Sequence, residues 1–329
     1  TLAKCNPGAF VEVLDYRPKW MDRKVSRLKL RKYAQRQEFV DFVKRYLVCT
    51  KSASANLMTC IKSLRGKGPR TVIVGSDQVW NPAITRDSWK DYFLGFEDDQ
   101  CRRMSYSASF GETSLNCSAE QAAQIGTCLG KYARLSVREK SGIDIASKLG
   151  RADAVQTLDP TLAADSNIYD ILLQEAHEAP LGLLGIFLDE MPLHAKMLRR
   201  MSTASNLKVR VISGKYKPFS CFDRPYTTSV PDYLMSIKMA RMVLTDSYHA
   251  LLFSLIFRRP FAVVPSGKNV RRFERIRDLL EMTGLSERVV HDFSAERCMA
   301  LYAETIDYDA VHAVIADMRR SSQEFLRLR

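Results

Sequence analysis

Asp246, Ser247 and His249 place a carboxylate, a hydroxyl and an imidazole within four positions, between two apolar runs. Residues 242–244 have the length of a buried strand. Residues 250–257 are apolar except for Ser254, as suits a helix buried on most sides. The polar trio therefore falls where a strand hands over to a helix N-terminus. First-turn N–H groups and the helix dipole favour an anion there, and an imidazole is readily tuned to exchange a proton near neutral pH. The chemistry on offer is anion binding with acid–base help from His249 and Asp246.

Two further groups have the same character. The apolar run 71–74 ends at Gly75, which allows close backbone approach to a ligand, and Ser76, Asp77 and Gln78 follow at once. Asp77 is open to a base role toward a hydroxyl or to an Asx turn. Trp80 is open to stacking on a sugar face or to the core. Arg138 closes the short run 135–138 and reads as a bidentate clamp on a carboxylate or phosphate, or as the ion-pair partner of Glu139. Lys268 and Arg271 lie at a loop-to-helix entry and add positive charge. Asp159, before Pro160, reads as a structural cap, and His177, His194, His291 and His312 read as structural.

These residues need elements to hold them. Strands are expected at 11–15, 71–75, 104–110, 135–138 and 155–158, with helices at 38–47, 118–133 and 139–149. The 38–47 helix has Phe39, Phe42/Val43 and Tyr46/Leu47 on one face. A second set follows: strands 182–188, 208–212, 242–244 and 261–264, alternating with helices near 192–204, 232–240, 250–257 and 271–280, and a last helix capped by Asp307. Strand–helix alternation is the signature of a parallel α/β sheet, whose ligands bind outside the carboxyl ends of the strands. Residues 1–9 read as the tail of a helix, so a strand and a phosphate-facing loop are expected upstream of Thr1.

A chain of 329 residues suits two domains. These are expected at 1–162 and 181–305, with a connector at 163–180 and a terminal helix, 306–329, packing back on the first. The composition, 46% apolar and 26% charged, is that of a globular protein without a membrane span. Eight cysteines show no CxxC pair and no metal-type spacing, so they are expected to be reduced thiols, with no metal site. The net charge of +13 is dispersed and carries no nucleic-acid-binding motif. It suits an anionic substrate or an anionic membrane face.

The motifs Gly75-Ser-Asp-Gln-Val-Trp-Asn-Pro82, Ser105-Tyr-Ser-Ala-Ser-Phe-Gly111, Ser136-Val-Arg-Glu-Lys-Ser-Gly142, Leu158-Asp-Pro-Thr-Leu162, Thr245-Asp-Ser-Tyr-His249 and Ile306-Asp-Tyr-Asp309 span nearly the whole chain. Together and in this order they resemble the polysaccharide pyruvyl transferase family. The resemblance implies two Rossmann-like domains facing across a cleft, as in B-type glycosyltransferases. The first is expected on the acceptor side and the second on the donor side. It also implies transfer of a pyruvyl group from phosphoenolpyruvate onto two hydroxyls of a sugar, with no cofactor beyond that donor. Catalysis then falls to His249, Asp77 and Asp246, and substrate binding to Arg138, Ser76, Gln78, Trp80, Ser247, Lys268 and Arg271. A sugar or lipid-linked oligosaccharide acceptor, a cytoplasmic location at the inner membrane face and a homo-oligomer fit the same picture.

Two positions depart from the family pattern. Ala250 replaces a glycine after the histidine, and Ser247 stands where some members carry arginine, so the donor's cations must come from elsewhere. A nucleotide-sugar-dependent glycosyltransferase and a catalytically weakened scaffold remain the competing readings, since fold alone does not fix function.

Overall fold

Short apolar runs form nine strands among the described residues, and every pairing between them is parallel. The computed structural model describes the chain apart from residues 22–29, 52, 65–69, 99, 178–181, 190, 214–218, 220, 224, 226–227, 267–269 and 329. For 21, 30–33, 213 and 270–272 it describes the backbone alone. The chain divides into two units. One comprises Thr1–Ser26, Asp41–Ala163 and Asp317–Arg329; the other comprises Arg27–Val40 and Ala164–Ala316.

After a single helical turn at Leu2–Cys5, helix α1 spans Leu30–Tyr46. Its Phe42 and Tyr46 are half-buried, with ring centroids 4.8 Å apart. The sequence groups Phe39, Val43 and Leu47 with them on one inward face, yet these three are exposed. Residues 11–15, expected as a strand, form only an isolated bridge from Val13 to Cys49, with a second from Tyr16 to Ser54 just after.

In the first unit β1 (Arg70–Val74), β2 (Cys101–Ser105) and β3 (Tyr132–Arg134) pair in that order, and β4 (Ser136–Val137) pairs with β5 (Val155–Gln156). Helices α2 (Ala119–Gly130) and α3 (Lys140–Lys148) lie between them in sequence. The register slips between Arg103 and Met104, and Ser107 adopts φ 53°. Single bridges Asp77↔Ala108 and Ala108↔Val137 carry the sheet onward. Such irregular backbone leaves polar groups that need partners. Buried serines supply them: Ser105 Oγ accepts from Ser136 N (2.9 Å), and Ser107 N donates to Ser136 Oγ (2.9 Å). The Ser136 and Thr157 hydroxyls meet at 2.9 Å.

In the second unit β6 (Leu183–Phe187), α4 (Pro192–Ser205), β7 (Val209–Ser213), α5 (Val230–Met239), β8 (Met242–Thr245), α6 (Tyr248–Ile256), β9 (Phe261–Val263) and α7 (Val270–Met282) alternate. α8 (Ala295–Ala303) and α9 (Tyr308–Phe325) follow. The sheet order is β7-β6-β8-β9. β7 and β8 therefore flank β6 on opposite sides, and the topological switch point lies between β6 and β8. In open α/β sheets, ligands favour the crevice at the carboxyl ends of that pair. β6 and β8 are buried along their whole length, as expected of continuous apolar runs.

The early turns of α9 bond within the second unit, where His312 Nε2 donates to Leu255 O (2.8 Å). Its late turns bond within the first, where Ser322 Oγ accepts from Leu158 N (2.9 Å) and Arg319 Nε donates to Leu162 O (2.9 Å).

His194, fully buried on α4, ties the crevice wall of the second unit together. Its Nδ1 accepts from Met191 N (3.2 Å), so the proton sits on Nε2, which donates to Val264 O just beyond β9 (2.9 Å). The ring stacks on Phe187 with centroids 4.0 Å apart. Burial holds its pKa below the ordinary value. The unfolded chain takes up this proton near pH 6.5, while the folded one resists it until a lower pH. The stabilisation is thus complete above about pH 6.5 and is lost as pH falls toward the folded value, with a slope of at most ~1.4 kcal/mol per pH unit. Thermal unfolding at pH 7.5 and 5.5 should show a lower midpoint at the acid value, and His194→Gln should flatten that difference. An undiminished difference in the variant would refute this role.

Candidate functional site

Each unit gathers polar side chains at the carboxyl ends of its strands. In the first unit, the end of β1 turns sharply at Asp77, whose φ of 79° is rare for a residue with a side chain. The turn persists because the Asp77 carbonyl accepts from both Val79 N (2.7 Å) and Ser109 N (3.0 Å). The Asp77 carboxylate is left outward, with its side chain 65% exposed. Ser76 and Gln78 are half-buried on either side of it. Gln78 lies against Gly111. Gly111 has φ 69°, a backbone conformation that favours glycine.

Beneath that surface lies Arg138, at the end of β4, with its side chain only 1% exposed. Nη1 donates to Asp159 Oδ2 (3.0 Å) and to Ser76 Oγ (3.3 Å). Nη2 lies 3.5 Å from Asp77 Oδ1, and Nε lies 3.6 Å from Glu139 Oε2. Sequence reading leaves Arg138 open to a clamp on the donor's carboxylate or phosphate or to an ion pair with Glu139. The structure buries it among three carboxylates of its own chain, Glu139 included. Asp159 also accepts from Thr161 N (2.9 Å), the capping role expected of it. Glu139, which the sequence offers only as an ion-pair partner, is equally buried. Its Oε1 accepts from Ser109 Oγ (2.5 Å) and Gly111 N (3.2 Å).

Trp80 does not face a ligand. It is fully buried, stacks on Phe93 (5.4 Å) and gives its indole N–H to Tyr92 O (3.2 Å). The core reading of this tryptophan holds, because its N–H finds a partner inside.

In the second unit, both oxygens of Asp246 are committed to backbone. Oδ1 accepts from Leu188 N (2.6 Å) and Oδ2 from Asp189 N (3.0 Å), so the end of β8 is fastened to the end of β6. Burial pushes the Asp246 carboxyl up, and these two amides pull it back. Its role is thus to position the switch-point loop. Ser247 is 6% exposed and serves as the N-cap of α6, its Oγ accepting from Ala250 N (3.5 Å).

His249 occupies the second position of α6 and is half-buried, edge-on to Tyr248 with centroids 5.7 Å apart. The Arg275 guanidinium, from α7, lies 5.3 Å from the centre of the same Tyr248 ring. Sequence reading missed Arg275, although it lies one helical turn beyond Arg271 and hence on the same face. The side chain of Arg271, and Lys268 altogether, lie outside the described residues. In the loop after β6, Asp189 Oδ2 accepts from Ser266 Oγ (3.5 Å).

Removing the cation from a buried ion-pair cluster strands its carboxylates, typically at a cost of about 3–5 kcal/mol. Arg138→Ala should therefore lower the thermal midpoint markedly, whatever it does to activity. A variant as stable as the wild type would refute the arrangement.

Comparison with known proteins bears on the whole chain. A UDP-GlcNAc 2-epimerase from Methanocaldococcus jannaschii superposes with a TM-score of 0.51 at 10% identity, covering 83% of each chain. The calicheamicin glycosyltransferase CalG4 aligns with a TM-score of 0.39 at 15% identity, over 94% of this chain and 82% of that one. The fold is α/β with parallel sheets, of the B-type glycosyltransferase-like kind. No curated protein matches the sequence. The family model of the polysaccharide pyruvyl transferases matches residues 2–268, and the chain belongs to that family of transferases.

Proposed function

We propose that the protein transfers a pyruvyl group from phosphoenolpyruvate onto two hydroxyls of a sugar in a polysaccharide precursor, forming a cyclic ketal. One acceptor hydroxyl adds to the enol carbon while the methylene carbon gains a proton and becomes a methyl group. The second hydroxyl then displaces phosphate from the same carbon. Two C–O bonds form and the C–O bond to phosphate breaks. Of the two hydroxyl protons, one is balanced by the new methyl hydrogen and the other leaves with phosphate. No cofactor beyond the donor enters this scheme, and the reaction is placed in the cytoplasm, where phosphoenolpyruvate is made.

The observation that carries this reading is the grouping of His249 and Arg275 about Tyr248, at the N-terminus of α6 beside the switch point. A helix N-terminus, an imidazole and a guanidinium together suit a doubly anionic donor. His249 is assigned to the phosphate or to protonation of the methylene carbon. Arg275 supplies the charge that Ser247 leaves missing. The first unit's face has the opposite character. There Asp77, Glu139 and Asp159 outnumber Arg138, which suits a neutral partner rich in hydroxyl donors better than an anion. Asp77 is assigned as the base or hydrogen-bond acceptor for an acceptor hydroxyl, with Ser76 and Gln78 orienting the sugar.

Phosphate release from phosphoenolpyruvate, measured with and without candidate lipid-linked oligosaccharides, tests the reaction, and mass spectrometry of the acceptor identifies the ketal. His249→Ala should cut the rate by about 10²–10⁴-fold, the span of a lost general acid, with an unchanged thermal midpoint. Arg275→Ala should raise KM for phosphoenolpyruvate about tenfold or more, as loss of a charge-assisted contact implies. Near wild-type kinetics in both variants, or release of a nucleoside diphosphate from a nucleotide-sugar instead of phosphate, would overturn the assignment.

A further inference from the structure

Helix α1 carries its apolar residues along one flank. At one edge of it Phe42 and Tyr46 are half-buried. Phe39, Val43 and, just past the helix end, Leu47 follow at intervals of four toward the other edge and are 53%, 40% and 43% exposed. Val48, just past the helix, is 51% exposed, and its carbonyl accepts from the N–H of Val13 (2.8 Å), which is itself exposed. Scattered apolar residues on a surface are ordinary, whereas a stripe at helical spacing is a candidate interface.

Charge decides what the stripe fits. At about 100° per residue, Arg36 projects within the stripe and Lys44 along its border, while Glu38 and Asp41 project from the far side of the helix. Exposed apolar side chains beside cations, with the carboxylates turned away, suit contact with an anionic lipid surface. A second copy of the chain fits less well. Each copy has a formal charge of +13 and would bring Arg36 and Lys44 against their like. Three or four side chains also fall short of the roughly 800 Å² per partner that a stable dimer buries. None of the described helices is long and apolar enough to cross a membrane, so attachment through α1 would be peripheral.

We infer that the Phe39–Val43–Leu47 face of α1, with Val48, docks the protein on an anionic phospholipid surface. This stands independently of the reaction assigned above, since it concerns none of the residues used there.

The test is co-sedimentation of the full-length chain with vesicles of phosphatidylcholine alone and of phosphatidylcholine with phosphatidylglycerol. Binding is expected only to the mixed vesicles, to weaken with salt, and to fall about tenfold or more in Val43→Asp/Leu47→Asp and in Arg36→Glu/Lys44→Glu. Both pairs are tested because the charge variant leaves the apolar stripe intact, and unchanged thermal midpoints confirm that each folds. Equal binding to both vesicle types, no binding to either, or variants that bind like the wild type would overturn the inference. So would a concentration-dependent dimer, detected by light scattering, that Val43→Asp/Leu47→Asp dissolves, since a second copy would then be the occupant.

Discussion

A guanidinium removed from water must be matched by carboxylates, and much of the first unit's upper edge follows from that requirement. Arg138 lies 1% exposed, with Asp159 and Ser76 on one nitrogen and Asp77 and Glu139 near the others. Those partners come from the ends of β1, β4 and β5, so a single side chain fixes where three strands stop. The same cluster sets the local potential. Three carboxylates about one cation leave a face better suited to accepting hydrogen bonds from hydroxyls than to holding an anion.

The second unit fastens its strand ends with hydrogen bonds to backbone. Asp246 uses both oxygens to hold the Leu188 and Asp189 amides, and Thr245 Oγ1 donates to Ile186 O (2.7 Å) and accepts from Ser247 N (2.9 Å). The switch-point loop is thus pinned by short-range hydrogen bonds from one strand end. Positive charge is left to come from α7, where Arg275 rests on the Tyr248 ring. The two faces differ in kind: one is a buried ionic cluster, the other a helix start with a cation beside it.

The sequence made the strands legible because each is an apolar run bounded by polar or glycine positions. The runs at 71–75, 182–188 and 242–244 lie within a residue of the observed β1, β6 and β8. β3 was hidden, because Tyr132–Arg134 continues the helical pattern of α2 and only Gly130 marks the break. Side-chain roles were less legible than positions. Arg138 and Trp80 sit beside polar ligand-type residues in sequence, yet both point inward, and no local pattern distinguishes an inward from an outward residue at a strand end. The backbone partners of Asp246 and Ser247 could not be read locally, since they lie in a loop 58 residues away or in the next helical turn. Arg275 was missed because its partner Tyr248 belongs to another helix. The outer face of α1 read as core, since spacing reports that residues share a face but not whether anything covers it.

The Arg138 cluster also constrains how this protein can change over evolutionary time. Residues sharing one ionic network do not contribute additively. Loss of the arginine alone strands its carboxylates, and loss of Asp159 alone leaves a buried cation short of its nearest partner. Either single step is costly, while exchanging the whole set for apolar residues of similar volume is often tolerated. Asp77 stands apart, exposed and 3.5 Å from Nη2. It is the one carboxylate in the group that can vary without dismantling the rest, so this face can be retuned at its rim while its foundation stays fixed.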